Sequence, residues 1–211
     1  KITVLKAIAA AAVISLACAA SASAQTRIGF TGGFTTTKID KDLKKVDDSG
    51  SLTTYNLGAT MQFNLGYGFS IQPSLKYQVR GNKIAGDNID DIFESTEDLA
   101  LTLDYKAGYI ELPVALQWGP DLLAFRPYLE VAPYLGYAIT NEYSNSENTA
   151  VKDNWNNTNR LELGFSAGVG LEVWIMQLFA HYNLNYGQFK NLKDNSNTFG
   201  GIDFGVTFFF K

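Results

Sequence analysis

Cysteine is almost missing from this chain. Cys18 is the only one, and it falls in a stretch that reads as a removable leader, which excludes disulfide frameworks and thiol chemistry from everything after it. Histidine is equally scarce: His181 stands alone with no serine motif near it, so the hydroxyl-plus-base arrangement of covalent acyl chemistry is not spelled out. A lone histidine of this kind reads as a hydrogen-bonded packing residue, and the chain is expected to have no catalytic residues and no cofactor. Basic residues are in the minority. Setting aside Lys1 and Lys6 of the leader leaves 15 Lys and Arg against 21 Asp and Glu, a balance that gives nucleic acid no footing. Beyond residue 24 no apolar run approaches the roughly 18 residues of a membrane-spanning helix. Any membrane crossing must therefore be made by strands.

The leader itself has three parts. Lys1 and Lys6 form a short basic region, Ala7 to Ala17 an apolar core, and Ala22-Ser23-Ala24 a small-residue cleavage site. This is the pattern of a secretory signal peptide, with residues 1–24 removed before Gln25 and residues 25–211 forming one domain. An acylated Cys18 is the rival, but Ser15 occupies a position where a lipoprotein signal wants a branched apolar side chain.

What is present in abundance is alternation. Hydrophobic residues make up 46% of the chain and 19 positions are glycine, and the apolar ones recur at every second position, the period of a strand. In Tyr109–Thr140, Ile110, Leu112, Val114, Leu116 and Trp118 share one side against Glu111, Pro113, Ala115 and Gln117. Leu129, Val131, Leu135, Tyr137 and Ile139 then oppose Tyr128, Glu130, Ala132, Tyr134 and Gly136. One face is bulky and apolar along its whole length; the other mixes small residues with acids. The same pattern predicts strands at 26–35, 53–63, 69–80, from near Leu101 to Trp118, in the second run above, and at 160–173, 177–188 and 198–210. That makes eight. A bilayer crossing by tilted strands turns the bulky face to lipid and packs the small polar face into a lumen, whereas a soluble barrel of the lipocalin type would reverse them. The glycines and paired charges of the small face favour the polar lumen.

The connections alternate long and short. Long polar segments are expected at Thr36–Ser51, Gly81–Asp98, Asn141–Asn159 and Phe189–Asn197, and tight corners at Asn64–Gly68, around Leu123, and at Trp174–Met176. Long loops on one side and short turns on the other are typical of an outer-membrane barrel. Phe63, Phe69, Trp118, Trp174, Phe208 and Phe210 lie beside the short corners or the C-terminus, as an interfacial aromatic girdle would. Phe34, Tyr55, Tyr77, Tyr137 and Tyr186 lie toward the long loops. The acidic segment 81–98 carries Asp87, Asp90, Asp91, Glu94, Glu97 and Asp98 but lacks the spacing of a calcium loop, so no metal site is expected.

An eight-stranded barrel is only wide enough for its own side chains to fill it. The inward parity supplies Arg27, Lys76, Arg80 and Arg160 against Glu111, Glu130, Glu162, Glu172 and Asp203, a near-balance that predicts internal ion pairing rather than a charged pore. Pro73, Pro113 and Pro133 fall inside strands, where each removes a ladder donor, and bulges are expected to accommodate them. In the last strand Asp203, Gly205, Phe208 and Phe210 fit the polar-x-Gly-x-x-aromatic-x-aromatic pattern of a C-terminal assembly signal, with Lys211 following.

Three stretches carry a resemblance. GFSIQPSLKYQVRGNKI (68–84), YIELPVALQW (109–118) and RPYLEVAPYLGY (126–137) resemble the PorT-like outer membrane β-barrel family common in Bacteroidetes, above all through Tyr109-x-Glu111-x-Pro113 and Pro127-Tyr128-x-Glu130. The resemblance implies an outer-membrane location, and together with the strand count and the C-terminal pattern the expectation is an all-β, eight-stranded antiparallel up-and-down transmembrane β-barrel, inserted by the barrel assembly machinery and embedded in outer-membrane lipid. It implies no single activity. A structural or interaction role is expected; an accessory part in a type IX-like secretion or envelope machine with a protein partner, or a narrow pore or ligand-binding barrel, are the alternatives.

Overall fold

The computed structural model describes residues 26–39, 50–84, 103–145, 150–152, 160–188 and 199–210. The leader and the calcium question over 81–98 therefore fall outside the described residues, the latter except for its first four. Among the described residues nine strands are formed: β1 (Thr26–Ile39), β2 (Gly50–Gly66), β3 (Phe69–Ile84), β4 (Leu103–Trp118), β5 (Arg126–Asn145), β6 (Ala150–Lys152), β7 (Leu161–Val173), β8 (Met176–Gln188) and β9 (Phe199–Phe210). All pairings are antiparallel. The order runs β4-β3-β2-β1-β9-β8-β7-β5, and β4 pairs with β5 to close the ring. Eight strands thus make a closed barrel with no free edge, and β6 stands outside it as a three-residue partner to the end of β5.

The faces sort as the alternation requires. Leu57 is 64% exposed on the outside while Gln117 is 0% exposed within, and the same contrast holds around the ring: Phe30, Leu75, Leu112, Leu129, Val169, Leu178 and Phe204 are exposed, and Thr31, Ser74, Gln78, Glu130, Ser166, His181 and Thr207 are buried. A barrel with its apolar side chains outward and its polar ones inward has the solvent preference of a membrane protein. This rules out the lipocalin arrangement.

Several strands run further than the hydropathy alone implies. β1 extends to Ile39, β2 starts at Gly50, β3 continues to Ile84 and β5 to Asn145, all into segments read as loops. Backbone pairing does not require an apolar face, so a hairpin can keep its ladder beyond the point where its side chains stop being greasy. The expected bulges at the prolines do not occur. Register shifts lie instead at Ser51/Asn56, Asn64/Gly66, Gly108/Tyr109 and Glu162/Gly164, whereas Pro73 faces Val114, Pro113 faces Tyr134 and Pro133 faces Phe165 in unbroken register. Each proline removes one donor, and neighbouring pairs on either side hold the alignment.

The short corners join β2 to β3, β4 to β5 and β7 to β8, at the same end as Thr26 and Phe210. Gly66 and Gly68 take φ of 82° and 81°, values that glycine reaches without penalty. Tyr67 and Trp174 occupy the same left-handed region, at φ 54° and 55°, where bulky residues are uncommon. Most of the expected girdle faces outward there: Phe69 packs against Trp118 with centroids 6.4 Å apart, and Phe30 against Phe210 at 5.7 Å. Phe63 is the exception, only 4% exposed. It keeps the outward parity but sits immediately before the Asn64/Gly66 irregularity, where neighbouring residues cover it.

Candidate functional site: the filled lumen

The interior is built in three levels. At the short-turn end, Glu172 of β7 pairs with Arg27 of β1 and lies 3.5 Å from Arg126 of β5. Arg27 also donates to Gln62 and to the Trp174 carbonyl, and its guanidinium lies 4.5 Å from the Phe209 ring centroid. Arg126 donates to the Gly68 carbonyl at 2.9 Å and to Ser70 at 3.1 Å, and reaches Asp121 at 3.3 Å. One arginine thus ties the β2–β3 turn to the β4–β5 corner.

Above it lies an amide cluster centred on Gln117. Its Nε2 donates to Gln72 and to Glu130, both at 2.8 Å. Its Oε1 accepts from Gln62 and Ser70, both at 3.0 Å, and from Gln177 at 3.4 Å. Both donors and the carbonyl of this buried amide are used, as burial of a polar group demands.

The loop-side level is organised on Arg80 of β3. It pairs with Glu111 of β4 and with Glu162 of β7, and its guanidinium stands 5.3 Å and 5.1 Å from the ring centroids of Tyr109 and Tyr134. A cation held between two carboxylates and two aromatic faces spans the lumen from wall to wall. Beyond it, Thr35 receives hydrogen bonds from Asn56 and Gln78, and Thr37 donates to the Gly81 carbonyl at 2.6 Å.

Between these levels is the barrel's middle. His181 stacks on Phe179, centroids 4.6 Å apart, with Nε2 3.2 Å from a Glu130 oxygen. Lys76 faces the Phe179 ring at 5.2 Å, and Asp203 stands opposite His181 on β9. The described residues here enclose a cavity of only about 30 Å³.

Four aromatic side chains fill much of the remaining interior, each over a glycine. Tyr128 pairs with Gly170, Tyr134 with Gly164, Phe179 with Gly205 and Phe209 with Gly29. At Gly170 and Gly164 a Cβ would stand only 2.1 Å and 2.0 Å from the Cζ of the facing tyrosine. The glycines of the small face are therefore seats for cross-strand rings.

The expected charge set resolves into parts. Arg27, Arg80, Glu111, Glu162 and Glu172 form ion pairs; Glu130 accepts from Gln117 and lies near His181; Lys76 and Asp203 face the central cavity. Arg160 lies before β7, where its carbonyl accepts the Ala138 N–H at 2.8 Å, away from the central level. Sequence reasoning passed over Arg126, which shares the parity of Tyr128 and Glu130 and so carried a readable signal. It also gave the glutamines no role, because parity places a side chain inside without saying what it meets. Of the C-terminal set, Asp203 is buried in the lumen while Phe208 and Phe210 are exposed outside. Among the described residues no group of three His, Cys, Asp or Glu side chains is placed to hold a metal ion.

A closed eight-stranded barrel, apolar without and polar within, defines an integral outer-membrane β-barrel protein. The chain belongs to the outer membrane protein β-barrel domain family, whose sequence profile matches residues 20–191. No curated protein matches it in sequence. Among solved structures it is similar to Ail, the attachment invasion locus protein of Yersinia pestis, with 12% identity, a TM-score of 0.44, and coverage of 87% of this chain and 98% of that one. Neisserial surface protein A shows 13% identity, a TM-score of 0.43, and coverage of 87% and 97%. The N-terminal β-barrel domain of Pseudomonas aeruginosa OprF shows 12% identity, a TM-score of 0.40, and coverage of 89% and 100%.

Proposed function

We propose that this protein is a non-enzymatic, non-conducting outer-membrane barrel of PorT-like, Bacteroidetes type that presents its long connections at the cell surface. On this reading residues 1–24 are a signal peptide cleaved before Gln25, and the C-terminal pattern ending at Phe210 is read by the assembly machinery. The observation that carries the proposal is the lumen: two arginine-centred levels and an amide cluster cross it from wall to wall. Side chains so engaged leave the barrel a scaffold, and the variable chemistry is left to the connections outside it. The acidic 81–98 segment and the Asn-rich 141–159 segment supply that chemistry.

A second reading, an accessory role in an envelope machine, is favoured by one feature. Tyr67, Leu123 and Trp174 at the short corners are almost wholly exposed, and two of them hold an uncommon backbone conformation. Apolar side chains at such positions suit a protein partner in the periplasm.

In-cell photo-crosslinking from Phe93 in the β3–β4 connection and from Leu123 in the β4–β5 corner separates the two. Adducts from Phe93 with an external molecule support surface display. A specific protein adduct from Leu123 alone overturns it in favour of the envelope machine. Stable ionic currents from the purified protein in planar bilayers would overturn the non-conducting scaffold.

A further inference from the structure

The central cavity is bordered by polar atoms that have no partner. Thr31 Oγ1 of β1, Thr207 Oγ1 and Asp203 Oδ1 of β9 are buried without a hydrogen bond, and His181 Nε2 of β8 makes none of good geometry despite its nearness to Glu130. All four residues line the cavity. Their placement is not scattered: Thr31 faces Thr207 directly across the β1–β9 ladder, and Asp203 faces His181 across the β8–β9 ladder. Buried polar groups are very seldom left alone in this way, and here four of them open on one enclosed space.

We infer that this cavity is a hydration site, holding about two bound water molecules that link Thr31, Thr207, Asp203 and Lys76 across the barrel's middle. The volume of about 30 Å³ is about twice the ~10–15 Å³ that one water needs. The charge pattern selects the occupant. A cation would suit Asp203 but meet the Lys76 ammonium; an anion would suit Lys76 but meet the carboxyl groups of Glu111, Glu130 and Asp203, which line the same space. Water donates to the carboxyl oxygen and accepts from the ammonium and the threonine hydroxyls, so it alone satisfies both kinds of group. The Phe179 ring, packed over Gly205 and beneath Lys76, supplies an apolar wall that confines the waters to the polar side.

The test is a crystal structure of the full chain, refined where ordered water is visible, with parallel soaks in bromide and in rubidium. Two density peaks within hydrogen-bond distance of Asp203 and of the Thr31–Thr207 pair, with no anomalous signal in either soak, are expected. An empty cavity, or an anomalous peak in it, would overturn the inference. Thr207→Val keeps the side-chain shape and removes the hydroxyl; it is expected to lose the water nearest β9 and to lower the unfolding midpoint in detergent. If water density and midpoint are both unchanged by that substitution, the assignment of Thr207 to the site is wrong.

Discussion

Arg80 is the side chain on which the loop-side half of the lumen depends. It pairs with Glu111 and Glu162 at once and stands over Tyr109 and Tyr134, so its removal leaves two buried carboxyl groups with no cation between them. Losing one member of a buried ionic group costs about 3–5 kcal/mol. Arg80→Met is accordingly expected to lower stability by about that amount in chemical unfolding from detergent micelles, and an unchanged midpoint would show that water, not Arg80, compensates the acids. Gln117 raises a different case, since no charge is lost. Gln117→Leu keeps the volume but removes the donor to Glu130 and the acceptor of Ser70 and weakens the bonding of Gln62 and Gln72, and a buried polar group left unsatisfied costs about 1–3 kcal/mol. The same unfolding measurement should register a loss at least as large as a single such group.

Strands explain why the small face contains so much glycine. Tyr128 and Tyr134 on β5 lie over Gly170 and Gly164 on β7, and no other residue leaves room for a ring at that spacing. Gly170→Ala forces Tyr128 from its seat and is expected to cost about 1–3 kcal/mol, the usual penalty of overpacking. If thermal denaturation of the variant matches the parent, the ring has an alternative position. The opposite face obeys lipid instead. Leu112→Arg, near the middle of β4, should destabilise by about 2–4 kcal/mol in bilayer unfolding, and Ile139→Arg, closer to the long connections, by about 0–1 kcal/mol. Equal costs at both positions would place the bilayer elsewhere along the strands. The prolines belong to this scale too. Their cost was readable from the residue type, but their consequence was not: pairs such as Lys76 with Glu111 and Leu116 with Val131 fix the alignment on either side, so no bulge is needed.

The whole barrel turns these local arrangements into a property. With its three levels occupied, it should give no resolvable single-channel current in a planar bilayer, and a voltage-stable conductance in the parent protein would contradict the packing described. Arg80→Met tests the same point from the other side: with the loop-side level opened, the Gln117 cluster and the Arg27–Glu172–Arg126 level still block the passage, so the variant too should remain silent.

Much of this was decided by the order of residues alone. Strict period-two alternation fixes which side chains share a face, and the glycines and paired charges of the small face favour it as the lumen. Parity fits a soluble barrel with the faces reversed equally well, and the exposure of the closed barrel's apolar face decided between them. The number of barrel strands and the inward parity of Arg80, Glu111 and Glu130 followed from the alternation, and the long and short connections pointed to the outer membrane. Tertiary structure decided who meets whom. Closure brings β4 to β5 and β1 to β9, and only then do Arg80 and Glu162, 82 positions apart, become partners, or Arg126 reach Gly68. Parity is a property of one strand, whereas the pairs, the glycine seats and the central cavity arise from the stagger between strands, which backbone ladders set and no single segment contains.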